Sequence, residues 1–211
     1  VTCIIGGSKV STKINVIYNL IKNVDNIVIV GAMANNFLKF KGLEVGKSLI
    51  EKNSANTIDS IYNEAKKNNC NIFIPEDFKV STDFLGIGKL KTYGAVTKEE
   101  MILDIGPKTI SMIKKIINDS NTVLWNGPAG YFENPSFQNG TKEIVEIISQ
   151  KTVNDKIFSV AGGGETVAAI NKFKKLDSFT FVSTAGGAFL EYLEGKTLPA
   201  IKALNQNVWT K

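Results

Sequence analysis

The chain has 211 residues, 43% of them hydrophobic and 21% charged, a composition that predicts one large globular domain with a core of its own. All 25 basic residues are lysine and there is no histidine, which excludes histidine metal sites and histidine bases. The net charge of +5 comes from scattered lysines that mostly lack aromatic neighbours, so we expect no nucleic-acid partner.

The sequence contains no apolar run as long as a membrane span and no signal-peptide pattern, so we expect a cytoplasmic protein with no membrane partner. It begins with Val1 rather than Met and opens directly on an apolar strand, which favours a fragment of a longer protein. Cys3 and Cys70 lie in or beside strand-like runs, and this pattern predicts buried free thiols.

The first predicted unit is a short strand, a glycine turn and a helix. The strand covers Thr2–Ile5 and the turn covers Gly6–Lys9. Apolar residues at helical spacing begin at Ile14, and either Ser11 or Thr12 is the expected cap of that helix.

Two lysines accompany this glycine turn. Lys9 lies on the turn and Lys13 follows four residues later, so both ammonium groups face one side if helical geometry begins at Lys9. A pair of cations beside a glycine turn favours a phosphate clamp over a solvated surface pair. The spacing is not that of a Walker-type phosphate loop.

The next part of the chain contains two further strands and two helices. Pro75 stops the second of these strands, because proline has no N–H to donate to a sheet. The predicted segments are a strand over Asn26–Val30, a helix over Met33–Phe40, an irregular stretch over Leu43–Leu49, a helix over Asn53–Asn68 and a strand over Asn71–Ile74.

The segment Glu76–Val96 is less regular, with short apolar pieces separated by glycines, and we expect a strand-and-turn excursion at the edge of the sheet. The regular pattern then returns. The predicted segments are a strand or turn over Met101–Pro107, a helix over Thr109–Asn118, a strand over Thr122–Trp125, a helix over Glu143–Gln150, a strand over Phe179–Val182 and a helix over Phe189–Leu193.

One stretch combines several features of a phosphate site. An apolar run over Ile157–Val160 predicts a strand, and a helical pattern begins at Val167. Between them, Gly162–Gly164 let the backbone approach a ligand, and the N–H groups that open the helix would face an anion. Glu165 follows the glycines and could hold a metal ion beside that anion.

The repeated order of strand, polar glycine turn and helix predicts the fold class. We expect an α/β, three-layer Rossmann-like domain over residues 1–211, with a mostly parallel sheet of about six strands and helices on both faces. In such sheets the ligand binds outside the carboxyl ends of the strands, where these glycine turns would gather. The turns together indicate a site for a metal-bound polyphosphate.

Six of these motifs, in this order, resemble the phosphoglycerate kinase family over nearly the whole chain. Each motif is short, and their combination carries the resemblance. They are Gly6-Gly7-Ser8-Lys9-Val10-Ser11-Thr12-Lys13, Met33-Ala34-Asn35, Leu103-Asp104-Ile105-Gly106-Pro107, Trp125-Asn126-Gly127-Pro128, Gly162-Gly163-Gly164-Glu165-Thr166 and Ser183-Thr184-Ala185-Gly186-Gly187-Ala188.

The resemblance implies the nucleotide-binding, C-terminal lobe of a two-lobed kinase of glycolysis. That enzyme transfers a phosphoryl group reversibly between 1,3-bisphosphoglycerate with ADP and 3-phosphoglycerate with ATP. The N-terminal lobe, which holds the phosphoglycerate in the family, is missing here. The resemblance therefore implies a monomer that binds Mg²⁺ with ATP or ADP, meets 3-phosphoglycerate only through the absent lobe, and is inactive alone.

The resemblance also implies roles for individual residues near the transferred phosphoryl group. Lys13 would contact the phosphate chain and Lys9 the transferring group, while Glu165 would hold magnesium, with Thr166 at the helix start. The N–H groups that would face the moving charge are those of Gly163, Gly164, Gly186 and Gly187.

A second set of residues would hold the rest of the nucleotide. Gly6, Gly7 and Ser8 would pass under the adenosine, with Gly31 and Ala32 beside the ring; Leu49, Leu103 and Tyr131 would pack on the base; Glu133 would bond the ribose; and Asn126 and Pro128 would border the phosphates.

Three positions depart from the family pattern. Glu165 stands where the family usually has aspartate, and its extra methylene moves the carboxylate outward, so coordination through a water is an alternative. Val30 and Ala32 replace glycines beside Gly31, and Ala185 replaces the first glycine of a triplet.

Two other functions are open from the residues. A stand-alone nucleotide-binding module would show the same turns without catalysis. A dinucleotide-binding domain would need G-x-G-x-x-G after the first strand and an acid about twenty residues later. Gly6 and Gly7 lack that spacing, and Asp25 precedes the second strand.

Overall fold

The structure is a computed structural model that describes residues 1–154 and 156–206. Strands and helices alternate along most of it. The strands are β1 (Thr2–Ile5), β2 (Asn26–Ile29), β3 (Asn71–Phe73), β4 (Asp77–Ser81), β5 (Lys89–Thr92), β6 (Met101–Ile105), β7 (Thr122–Asn126), β8 (Phe158–Gly162) and β9 (Phe181–Ser183). The helices are α1 (Ile14–Ile21), α2 (Ala34–Phe40), α3 (Ala55–Lys67), α4 (Pro107–Asn118), α5 (Asn139–Val153), α6 (Gly164–Lys172), α7 (Gly187–Leu193) and α8 (Pro199–Gln206).

Six strands form one parallel sheet in the order β3-β2-β1-β7-β8-β9. β1 is central: Thr2 pairs with Asn26 of β2 on one side and with Val123 of β7 on the other. The chain therefore adds β2 and β3 on one side of β1, and later adds β7, β8 and β9 on the other side. Ligands bind where the strand order reverses in this way, outside the carboxyl ends of the strands. The predicted fold class is confirmed.

Helices cover both faces of this sheet, and the strand alternation decides which side chains meet them. Cys3 and Ile5 of β1 point into a core shared with α1, α2, α3 and α7, whereas Ile4 points into a core shared with α4, α5 and α6. Each fully buried aliphatic side chain contributes about 1.5–3 kcal/mol, so the two cores fix the sheet between its helical layers.

The segment predicted as an edge excursion of the main sheet instead forms a separate sheet, and that prediction is wrong. β4 lies between β5 and β6 in an antiparallel sheet of three strands, with Phe78 opposite Ile105. Strand-like patterns say nothing about partners far along the chain, and here Gly106 N–H closes the pairing by donating to Asp77 O (2.9 Å). The predictions also ended before α8.

The predicted cap of the first helix is also wrong. α1 begins at Ile14, and Lys13 occupies the capping position without a side-chain hydrogen bond. The Ser11 hydroxyl donates instead to the Glu51 carboxylate, and the Thr12 hydroxyl donates to Lys9 O (3.0 Å). Lys9 consequently lies outside the helix.

Both cysteines are buried free thiols, as expected. Burial raises the pKa of Cys3 to about 12 and that of Cys70 to about 11, so neither is a ready nucleophile at neutral pH. Among the helices that the structure describes, none combines the length and apolarity that crossing a membrane requires.

Candidate functional site

The carboxyl ends of β1 and β7 come into backbone contact where the strand order reverses. The N–H of Gly6 donates to Asn126 O at 2.7 Å. A Cβ on Gly6 would overlap with the carbonyl oxygen of Pro128 and lie 2.7 Å from that of Gly127. Only glycine permits this approach, and the two strand ends form one continuous floor.

The turn after β2 joins this floor. Gly31 has a φ of +68°, and its N–H donates to Ala129 O at 3.2 Å. A Cβ at this position would lie 2.9 Å from Pro128 O, besides being strained by the positive φ. The turns that follow β1, β2 and β7 therefore meet at one place.

A cavity of about 290 Å³ opens on this floor, with a mostly apolar lining. A concave apolar pocket with a few polar groups is the usual form of a small-molecule site. Ten of the residues proposed from the sequence line it: Gly7, Ser8, Gly31, Ala32, Leu49, Leu103, Pro128, Tyr131, Glu133 and Glu165.

One wall of the cavity contains an aromatic pair of which the sequence analysis proposed Tyr131 and missed Phe84. Phe84 packs edge-to-face on Tyr131, with ring centroids 5.5 Å apart, and both rings line the cavity. Leu49 lines the cavity as well, although 55% of its surface is exposed. Phe84 lies in the segment whose pairing was mispredicted, and the sequence analysis placed no strand next to it.

The loop over residues 127–134 carries five of the lining residues, and hydrogen bonds to other elements fix it in place. The N–H of Tyr131 donates to Leu103 O at 2.7 Å. The ammonium of Lys172 donates to Phe132 O at 2.6 Å, and Asn134 Nδ2 donates to Phe84 O at 2.7 Å. We call this segment the 127–134 loop.

Hydrogen bonds connect Lys13, just before α1, and Thr166 of α6 to the end of β7. Lys13 Nζ donates to Asn126 Oδ1, and Asn126 Nδ2 donates to Gly162 O at 2.6 Å. The N–H of Gly127 donates to Thr166 Oγ1 at 2.7 Å. Asn126 and Thr166 are buried, and Lys13, Asn126 and Thr166 form one polar cluster, none of whose three residues lines the cavity.

The glycine turn after β8 leads into α6 earlier than the sequence predicted. α6 begins at Gly164 rather than Val167, which puts Glu165 in its first turn, exposed and lining the cavity. Gly163 has a φ of +96°, and a Cβ there would lie 2.5 Å from Asn126 Nδ2. Any other residue would be strained by the positive φ and would clash with Asn126, so this position requires glycine.

Lys13 is electrostatically linked to Glu165. Partial burial lowers the pKa of Lys13, because removing an ammonium from water disfavours its charged form, while the Glu165 carboxylate opposes that shift. A bound anion would restore the stability of the ammonium in the same way.

Three residues proposed from the sequence lie outside this arrangement. Lys9 is exposed and does not line the cavity. Burial raises the pKa of Glu51, yet hydrogen bonds from Ser11 and the charge of Lys9 leave it below its ordinary value, so Lys9 lies near Glu51. Gly186 and Gly187 open α7, and neither lines the cavity.

The donor set for a metal is small. Over residues 1–154 and 156–206 there is no group of three or more histidine, cysteine, aspartate or glutamate side chains that could hold a metal ion. Mg²⁺ bound with a nucleotide usually has one or two carboxylates, with phosphate oxygens and waters as its other ligands. Glu165, which is exposed and lines the cavity, fits that kind of site.

Comparison with known proteins shows which family this chain is similar to. The phosphoglycerate kinase family model matches residues 1–196. Phosphoglycerate kinases of Zymomonas mobilis and Rhodopseudomonas palustris are 44% and 47% identical over 206 residues, or 97% of this chain. The match covers 52% of each relative, so the chain spans about half the length of the curated relatives it matches.

Solved structures agree. The phosphoglycerate kinase of Coxiella burnetii has a TM-score of 0.92 at 40% identity, covering 97% of this chain and 52% of that one. The enzyme of Pyrococcus horikoshii has a TM-score of 0.78 at 28% identity, covering 97% of this chain and 51% of that one. The matched family model, the identities and the shared fold together show that this chain belongs to the phosphoglycerate kinase family.

Proposed function

We propose that this chain is the nucleotide-binding, C-terminal half of a phosphoglycerate kinase and that it binds ADP and ATP with Mg²⁺. The observation that carries the proposal is the apolar cavity where the strand order reverses, with the Lys13–Asn126–Thr166 cluster next to the cavity-lining residue Glu165. The match to phosphoglycerate kinases over 97% of the chain supports the same reaction class.

The adenosine occupies the apolar cavity. Its base lies over the glycine floor, between Leu103 and the side chains of Leu49 and Tyr131, and Glu133 accepts hydrogen bonds from the ribose hydroxyls. These assignments are supported by the lining of the cavity, which contains all four side chains together with Gly7 and Gly31.

The phosphates extend toward Lys13 and Glu165. Lys13, held by Asn126, supplies positive charge to the phosphate chain, and the N–H groups of Gly163 and Gly164 face its oxygens at the start of α6. Glu165 would hold the magnesium ion, which when bound neutralises charge on the phosphoryl oxygens.

These lysines and glycine N–H groups are suited to phosphoryl transfer between an acyl phosphate and ADP. The reaction needs positioning and stabilisation of charge, and its leaving carboxylate needs no general acid, so lysines and glycine N–H groups suffice. Lys9, exposed on the turn after β1, is free to reach the transferring group, and Gly186 and Gly187 offer N–H groups from α7. The 3-phosphoglycerate is held by the N-terminal lobe, in a monomeric cytoplasmic enzyme of glycolysis.

Titration calorimetry with ADP, ATP and NAD tests the proposal. The strand order is shared with dinucleotide-binding domains, so NAD is the informative competitor. We expect ADP and ATP to bind more tightly than NAD, and more tightly with Mg²⁺ than without it. A preference for NAD would contradict the proposal. Nucleotide binding without any contribution to catalysis would favour the second function, a stand-alone binding module.

A further inference from the structure

We propose that Asp104 and Thr141 are positioning residues that hold the 127–134 loop in the shape that receives the nucleoside. The inference rests on the proposed function, since it concerns the base and ribose end of the same site. Thr141 does not line the cavity, and Asp104 borders it with only 1% of its surface exposed, so we assign both residues to holding the loop rather than to binding the nucleotide. Each acts through backbone N–H groups of the loop or of the helix that follows it.

Asp104 is a buried carboxylate at the centre of this contact. It is 1% exposed, on β6, and its oxygens accept from Ile105 N–H at 2.9 Å and from Gly140 N–H at 2.8 Å. A Cβ on Gly130 or on Gly140 would overlap with the same carboxylate. The backbones of the 127–134 loop and of the first turn of α5 are therefore packed directly on one buried carboxyl group.

Thr141 transmits this contact to the loop. It follows Gly140 in the first turn of α5 and is fully buried. Its hydroxyl accepts from Ala129 N–H at 3.0 Å and from Gly130 N–H at 3.3 Å. A buried N–H without a partner is costly, so these two bonds fix the loop backbone at the position where α5 begins.

The fixed part of the loop leads into the side chains that face the cavity. Ala129 O accepts from Gly31 N–H at 3.2 Å, and Tyr131 N–H donates to Leu103 O at 2.7 Å. The phosphate end is held without Asp104 or Thr141, because Lys13 Nζ donates to Asn126 and the N–H of Gly127, at the start of the loop, donates to Thr166. Loss of Asp104 or Thr141 should therefore affect the nucleoside and leave the phosphates alone.

The first test is Asp104→Asn in the 211-residue chain. The asparagine amide offers one acceptor oxygen in place of two and cannot accept from both Ile105 N–H and Gly140 N–H, so we expect adenosine and ADP to bind about 10- to 100-fold more weakly, by the same factor. Affinity for magnesium pyrophosphate should stay unchanged. Asp77→Asn is the matched control, because Asp77 is 4% exposed and accepts from Lys108 N–H (2.9 Å) and Thr109 N–H (2.8 Å) at the start of α4.

The second test uses Thr141, in case Asp104→Asn does not fold. Thr141→Val removes the acceptor and should weaken the binding of adenosine and of ADP but not that of pyrophosphate. Thr141→Ser keeps the hydroxyl and should bind adenosine and ADP as the wild type does. Equal losses for adenosine and pyrophosphate, or no loss for either, would overturn the inference. A wild-type chain that binds neither adenosine nor ADP would instead overturn the proposed function, and the inference with it.

Discussion

The two lysines after β1 have different surroundings. Lys13 is partly buried, donates to Asn126 and lies close enough to Glu165 for their charges to interact. Lys9 is exposed and lies near Glu51. A residue already held in place costs little to order when a ligand binds, so Lys13 suits ground-state binding and Lys9 suits a contact made later in the reaction.

Alanine substitutions should separate these roles. We expect Lys13→Ala to weaken ADP binding about 10- to 100-fold, the usual loss for a charged hydrogen bond, and Lys9→Ala to leave calorimetric affinity almost unchanged. With an N-terminal lobe added, Lys9→Ala should lower turnover by about 10²–10³, as loss of a preorganised charge does. Equal losses of ADP affinity in the two variants would show that Lys9 is a plain binding residue.

Glu165 and Glu133 are both exposed acids that line the cavity, and this makes them a matched pair. Glu165→Gln should weaken Mg-ADP binding far more than metal-free ADP binding, because only the metal-bound form uses the carboxylate charge. Glu133→Gln should weaken both forms by the same factor through the ribose. Titrations with and without Mg²⁺ measure the difference. If Glu165→Gln lowered the affinity for Mg-ADP and for metal-free ADP by the same factor, Glu165 would be ruled out as the metal ligand.

Asp104 also predicts a pH dependence of stability. Burial raises its pKa from 3.8 to about 7, although the N–H groups of Gly140 and Ile105 and the charge of Lys79 oppose that shift. Between those pH values the folded chain holds a proton that the unfolded chain has lost. The stabilisation is thus complete below about pH 4 and is lost as the pH rises to about 7.

Urea unfolding at pH 5 and pH 8 measures this effect. The free energy of unfolding of the wild type should fall more between the two pH values than that of Asp104→Asn, because asparagine does not titrate. Parallel changes in the two proteins would show that Asp104 has the same pKa in the folded and unfolded states.

Among the elements, the turn between β8 and α6 places different demands on its two neighbouring glycines. Gly163 has a positive φ and faces Asn126, whereas a Cβ on Gly164 would meet nothing within 4 Å. Gly163→Ala should lower the free energy of unfolding by about 1–3 kcal/mol, through the strained φ, and should also weaken ADP binding by displacing Asn126. Gly164→Ala should do neither. Denaturant unfolding and calorimetry on both variants test this, and similar losses in the two would contradict it.

The repeated strand–turn–helix units were predictable because each is encoded locally. Ile14, Ile17, Leu20 and Ile21 mark one helix face whatever lies elsewhere in the chain. The partners of β4 were not predictable, since pairing with β6 depends on residues far along the sequence. For the same reason the sequence did not indicate Phe84, which contacts Tyr131 only because that small sheet forms. It also did not indicate Glu51, whose carboxylate accepts from the Ser11 hydroxyl that we expected to cap α1.

The candidate site was predictable in part for a related reason. Glycine turns after parallel strands meet at one edge of a sheet, so Gly6, Gly31 and Pro128 could be grouped without knowing the strand order. Supporting residues such as Thr141 carry no such pattern. A threonine inside a helix resembles any other, and its bonds to Ala129 and Gly130 follow from packing alone.

At the scale of the whole molecule, the chain spans about half the length of its relatives. We expect it to bind nucleotide but not to transfer a phosphoryl group between ATP and 3-phosphoglycerate by itself. Holding two reactants together supplies about 7–11 kcal/mol of a barrier, and one lobe holds only one of them. A coupled assay should show turnover only after a separately made N-terminal lobe is added. Robust turnover by the chain alone would contradict the two-lobe assignment.

The pairing of β1 with β7 also sets the order in which the protein can be built. Thr2 and Val123 are separated by more than half of the chain, so β1 to β3 leave the ribosome with one edge of β1 unpaired until β7 is synthesised. Contacts at such separation form late, because a long loop must close first. The contact between Gly6 and Pro128 exists only after this closure, so nucleotide binding during synthesis would report that the two halves of the sheet have joined.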